Sequence, residues 1–195
     1  MLALDPRTAL IVVDVQNDFA DPAGSLHVTG GELLLPPIND LVASAIAARA
    51  LVVYTQDWHP PSTAHFAKDG GLWPVHCVRD TWGAAFHPNL VVHGPVVRKG
   101  SNGEDGYSGF TMRDPVTGRT MPTELASVLA DRGVVRVVVC GLATDYCVGA
   151  TALDAQALGL DTSVLLDLVR AVDLAPGDGT RMIATLAESG IHVEE

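Results

Sequence analysis

Ala9-Leu10-Ile11-Val12-Val13 is an unbroken apolar run, closed by Asp14. Such a run suits a strand buried on both faces, as in the middle of a parallel sheet. Outward from it the pattern repeats. Residues 51–55 (LVVYT), 96–98, 134–139 (VVRVVV) and 162–167 read as further strands, with a last short one at 191–193. Segments of helical spacing lie between them: 33–49, with Pro36 and Pro37 near its start; 122–132, stopped at Gly133; 146–158; and one after Pro176. Strands alternating with helices predict an α/β fold, three layers α/β/α around a mainly parallel central sheet with right-handed crossovers. No internal repeat or linker interrupts the pattern, so residues 1–195 read as one domain. The long irregular stretch, 56–95, is rich in His, Pro, Trp and Gly, a composition expected of a functional loop.

A chain of 195 residues with 48% apolar content can bury a core without disulfide staples. Its formal charge of −11 excludes a nucleic-acid surface, which needs clustered Lys and Arg, and docking on anionic membranes. A neutral small molecule is the partner this balance allows, and a homo-oligomer is compatible with it. The three cysteines, Cys77, Cys140 and Cys147, form no disulfide framework and fit a reducing compartment. With no secretory pattern ahead of Asp14 and no run long enough to span a bilayer, the expected location is the cytoplasm.

Ligands in α/β sheets sit at the carboxyl ends of strands, so the residues just after each strand matter most. Asp14 follows the first; a carboxylate there is costly unless paired or used. Lys99 follows the third and gains meaning only if it meets Asp14. Cys147 lies just after the fourth, in Cys-Gly-Leu-Ala-Thr-Asp-Tyr-Cys. With Thr144 as an N-cap, Cys147 falls in a first helical turn, where free N–H groups and the helix dipole lower a thiol pKa and can hold an oxyanion. Asp145 works against a thiolate unless it points away. Cys140 and Cys77 read as buried small hydrophobes. Asp57 and His59, two apart in extended chain, point the same way, and His65 and His76 share their loop. One carboxylate with up to three imidazoles suits Zn(II), Fe(II) or Mn(II). His27, His87, His93 and His192 read as ordinary surface or core residues.

These segments, taken in order, carry a resemblance. ALIVVDVQNDF from residue 9, GSLHVTGG from 24, QDWHP from 56 with His65-Phe66, WPVHC from 73, Arg98-Lys99-Gly100, Tyr107-Ser108-Gly109-Phe110 and CGLATDYCV from 140 resemble the nicotinamidase/pyrazinamidase branch of the isochorismatase-like cysteine hydrolases. The resemblance implies a catalytic triad of Asp14, Lys99 and Cys147. It implies one divalent metal held by Asp57, His59, His65 and His76, with His65 the ligand that varies most among members. It also implies an oxyanion hole from the N–H groups of Ala143 and Cys147, with a cis peptide at Leu142–Ala143. Substrate contacts map onto Phe19, Leu26, Trp73 and Tyr107, with Phe19 and Trp73 sandwiching a flat ring. Tyr146 departs from the residue often found just before the nucleophile. The activity implied is hydrolysis of nicotinamide, and of pyrazinamide, through a thioester. Three alternatives stand beside it: an isochorismatase-type enzyme cleaving a vinyl ether, which Cys147 disfavours; an amidohydrolase of carbamoyl or ureido substrates, which the Asp57, His59 and His76 cluster disfavours; and a non-catalytic binding protein, which the complete triad disfavours.

Overall fold

The apolar run becomes β1 (Thr8–Val13), buried along its whole length. Its side chains alternate between two cores, Leu10 and Val12 on one face, Ala9, Ile11 and Val13 on the other. Each fully buried Leu, Ile or Val contributes about 1.5–3 kcal/mol, so both faces favour this strand at the centre. The computed structural model describes residues 4–195. After β1 come a single helical turn, α1 (Asn17–Ala20), then α2 (Leu35–Ala47), β2 (Leu51–Asp57) and β3 (Val96–Lys99). A hairpin follows, β4 (Thr111–Arg113) with β5 (Thr120–Pro122), then α3 (Leu125–Asp131), β6 (Arg136–Leu142), α4 (Gly149–Ala157), β7 (Asp161–Arg170), α5 (Asp178–Glu188) and β8 (His192–Glu194).

Six strands form one sheet in the order β3-β2-β1-β6-β7-β8, every neighbouring pair parallel. Ile38, Val42 and Ala45 of α2 pack with Leu10, Val12 and Val138 on one face. Leu129 of α3, Ala152 of α4 and Leu186 of α5 pack with Ile11, Val137 and Val139 on the other. The expected three-layer α/β/α architecture is therefore present. From β1 the strand order runs outward in both directions, so the crevice between the carboxyl ends of β1 and β6 is the switch point at which such sheets bind ligands.

Two details bring those ends together. Lys99 is in register with Asp57 across β2 and β3. Gly141 of β6 adopts φ +111°, and a Cβ there would stand 2.2 Å from the Val13 carbonyl oxygen of β1. Only glycine lets the two strand ends approach this closely.

The sequence reading differs from the structure mainly at the ends of elements. The helix expected over 122–132 starts later, because Thr120–Pro122 pairs with Thr111–Arg113 and the Thr123 hydroxyl takes the Leu125 N–H at 3.1 Å. Thr144 does not cap the helix that carries Cys147. The cap position is Ala143, and residues Thr144–Val148 form a wide π-type turn ahead of α4. Strands β2, β3 and β6 run one to three residues past their expected ends, so Asp57 and Lys99 close their strands rather than follow them. Among the described residues no helix is long and apolar enough to cross a membrane.

Candidate active site

The residues at the strand ends meet. Lys99 is 1% exposed, and its Nζ lies 2.9 Å from Asp14 Oδ2 and 3.5 Å from Cys147 Sγ, while also bonding Asp57 Oδ1. Asp14 and Asp57 are buried with it. Thr55 Oγ1 donates to Asp14 Oδ1 at 2.6 Å, which holds that carboxylate from behind, and the Asp57 N–H donates to Gln16 Oε1 at 2.8 Å, which pins the backbone that carries the second.

The electrostatics follow from one buried cation between two buried anions. Burial works against the Lys99 charge, but Asp14 and Asp57 outweigh it and hold the ammonium well above its usual range. Burial also opposes the Asp57 charge, and Lys99 with the neighbouring imidazoles holds it well below the carboxylate range. Asp14 goes the other way: burial pushes it up, Lys99 pulls it down less, and Asp57 adds to the rise. Burial likewise drives the Cys147 thiol well above its ordinary value, with Lys99 opposing and the two carboxylates adding. The direction is opposite to the acidic thiol expected from the helix start, because desolvation and the two carboxylates outweigh Lys99. A raised Asp14 beside a raised Cys147 leaves a carboxyl and a thiol between which one proton can pass.

Asp145 points away, as expected. Its carboxylate accepts the N–H groups of Val172 at 2.9 Å and Asp173 at 2.8 Å. The Leu142–Ala143 peptide is cis. The Ala143 carbonyl takes the N–H of Tyr146 at 3.1 Å and of Val148 at 3.0 Å, bracketing Cys147 in the turn. Cys140 lies within β6, where burial pushes its thiol up to about 12. Cys77 is fully buried as well, and all three cysteines are free.

Beside this trio, His59, His65 and His76 bring ligand nitrogens within 4.8 Å of one another. Asp57 Oδ2 lies 3.7 Å from His59 Nε2 and 3.9 Å from His76 Nε2. The donor set fits a divalent ion. Both ring nitrogens of His59 are buried with no hydrogen-bond partner, a costly arrangement for a ring that serves no ligand. His76 Nδ1 is bound to the Pro74 carbonyl at 2.7 Å and His65 Nδ1 to Asp105 at 2.7 Å, which leaves both Nε2 atoms for the shared centre. Burial pushes His76 down to about 4, so this ring is neutral, as a ligand must be. His27 is bonded to Glu32, His87 lies by Asp21, His192 lies by Asp161 and His93 is exposed, so none of the four joins the cluster.

Cys147, His65 and His76 open on one pocket. Phe19, Leu26, Trp73 and Tyr107, the expected contacts, all line it, together with Asp57, His65, His76, Ala143 and Tyr146. Trp73 Nε1 donates to the Tyr107 hydroxyl at 3.1 Å, and Tyr146 packs edge-on against Trp73 with ring centroids 4.8 Å apart. Thr55, Gln16 and Asp105 were absent from the sequence reading. Each is a common polar residue whose spacing carries no signal, and only the register of β1 against β2 could have pointed to Thr55.

A parallel sheet with its titratable groups at the switch point, facing a small apolar pocket, is the arrangement of an α/β enzyme that acts on a small molecule. The chain belongs to the isochorismatase family, whose Isochorismatase domain model matches residues 8–193. The nicotinamidase/pyrazinamidase of Mycobacterium tuberculosis is 45% identical over 169 residues, 84% of this chain and 87% of that one. The pyrazinamidase of Pyrococcus horikoshii, solved in complex with zinc, superposes with a TM-score of 0.86 at 39% identity, over 97% of this chain and 99% of that one. An L. infantum protein solved in complex with nicotinate gives 0.88 at 38% identity, over 100% and 96% of the two chains.

Proposed function

We propose that this protein is a nicotinamidase, also acting on pyrazinamide, that hydrolyses the carboxamide of a flat heteroaromatic ring to the acid and ammonia. The observation that carries this reading is a single pocket faced at once by Cys147, aromatic walls and a histidine cluster. The relatives' names and the ligand bound in one of them point to the same substrate.

Asp14 takes the thiol proton of Cys147, with the Lys99 ammonium holding both groups in place. The thiolate attacks the carboxamide carbon, and the N–H groups of Ala143 and Cys147 take the charge that develops on oxygen. Asp14 returns its proton to the departing ammonia. Water then hydrolyses the Cys147 thioester, with Asp14 again as base, releasing the carboxylic acid and restoring the thiol. Phe19 and Trp73 flank the ring, while Leu26 and Tyr107 close the pocket around it. Asp57, His59, His65 and His76 would hold a divalent ion, zinc in one relative and iron or manganese also suited to the donor set, which would supply a Lewis acid beside the ring. The three free thiols fit a cytoplasmic enzyme, and nicotinate formation fits salvage of the pyridine ring for NAD synthesis.

The test is ammonia release from nicotinamide by purified protein, before and after chelation, with metal add-back and with Cys147→Ala beside it. Release should fall on chelation, return with metal, and drop more than about 10³-fold in Cys147→Ala. Near-normal release from that variant would refute the nucleophile. Silence of the reduced, metal-loaded wild type would move the substrate to carbamoyl or ureido amides.

A further inference from the structure

The three histidines of the cluster differ in what stands behind them. His76 is backed by the Pro74 carbonyl, His59 by nothing, and His65 by a carboxylate, Asp105 Oδ1, 2.7 Å from its Nδ1. Asp105 comes from another part of the chain, 40 residues on, and its position is fastened on two sides. Its N–H donates to the Arg113 carbonyl at 2.7 Å, and its carbonyl accepts from the Arg113 N–H, tying it to β4 of the hairpin. Its Oδ1 also accepts the Gly106 N–H at 2.9 Å, which fixes the carboxylate itself. The segment just before it is docked on the histidine loop by Thr63 Oγ1, which donates to the Gly103 carbonyl at 3.1 Å. Two residues on, Tyr107 lines the pocket and accepts from Trp73.

We infer that Asp105 is a positioning residue for the metal centre: it holds the His65 ring with Nδ1–H toward itself and Nε2 toward the shared site, so that the hairpin sets metal affinity through His65. The physical reason is general. A ligating imidazole is oriented, and made more basic, by the acceptor on its other nitrogen, and a carboxylate does this more strongly than a carbonyl. The inference rests on the metal-dependent reading above and deepens it. It assigns a metal-tuning role to the β4–β5 hairpin, which otherwise lies outside the central sheet.

The experiment is metal binding without catalysis. Zn(II) affinity is read by competition with a chromophoric chelator, and Co(II) coordination by its visible absorption. Wild type is compared with Asp105→Ala, Asp105→Asn, His65→Ala and the His65→Ala/Asp105→Ala double variant. Asp105→Ala should weaken Zn(II) binding about ten- to hundred-fold. Asp105→Asn, which keeps the shape and the Gly106 bond, should fall between it and wild type, and serves if the alanine variant does not fold. In the His65→Ala background, removal of Asp105 should change affinity little, because the residue it acts through is gone. Equal affinity in wild type and both Asp105 variants would overturn the proposal. So would an undiminished effect of Asp105→Ala without His65, which would mark a merely structural role. A wild type that binds no divalent ion would instead overturn the metal-dependent reading, and this inference with it.

Discussion

Lys99 shows what a single buried charge does at this site. Its ammonium is buried and touches two carboxylates, so its removal leaves two like charges together in a medium that screens them poorly. Lys99→Met should therefore cost about 3–5 kcal/mol of folding stability in the chelated protein, beyond any loss of turnover. Adding Asp14→Asn should restore part of it, because one of the stranded charges is then gone. Denaturant titration of the three proteins checks this, and a loss below about 1 kcal/mol would show that Lys99 does not hold the carboxylates. Asp14 and Lys99 were legible as titratable residues after apolar strands, Cys147 as a thiol in the turn that follows one and Asp57 by its spacing to His59, with the family resemblance joining them. Their support was not. Thr55, Gln16 and Asp105 are known only from hydrogen bonds that span 40 or 41 positions in sequence, and no local pattern encodes a contact of that range.

At the level of elements, the sheet places the site and one glycine allows the pieces to close. Gly100, just after β3, has φ +77°, and a Cβ there would stand 2.6 Å from Cε1 and Nδ1 of His59. Gly100→Ala must push the ring of a ligand residue aside or bend the strand end that carries Lys99. Zinc affinity should fall at least about ten-fold, as for other losses of ligand orientation, and stability by about 1–3 kcal/mol from left-handed backbone strain. A variant with unchanged zinc affinity would show that His59 is free to move. The central strands were readable from their apolar runs, since each is buried on both faces. Their ends were not, because the polar residues that close β2 and β3 look like loop. The β4–β5 hairpin left no trace either: strands of three residues, half-exposed, show no period, and Pro122 resembled a helix start.

For the molecule as a whole, the sheet and the histidine cluster differ in how they are held. The sheet closes on two apolar cores, whereas residues 58–95, which bring His59, His65 and His76 to Asp57, contain little regular structure beyond a short turn at Ala67–Asp69. Such a stretch, fixed by scattered hydrogen bonds, opens more readily than the core. An ion bound to all four side chains would tie its two arms to β2, and its binding energy would add to the stability of the folded state. At free metal about a hundred-fold above Kd, that addition is about 2.7 kcal/mol. In a chain of this size each kcal/mol moves the midpoint by about 2–4 °C, so chelation should lower Tm by about 5–10 °C. Limited proteolysis of the chelated protein should cut first within residues 58–95, while circular dichroism still reports the α/β core. A midpoint that ignores chelation, in protein shown to contain metal beforehand, would mean that the ion sits elsewhere and that His59, His65 and His76 face one another for another reason. A fall in Tm with cleavage spread over the whole chain would mean that the loop and the sheet unfold as one unit.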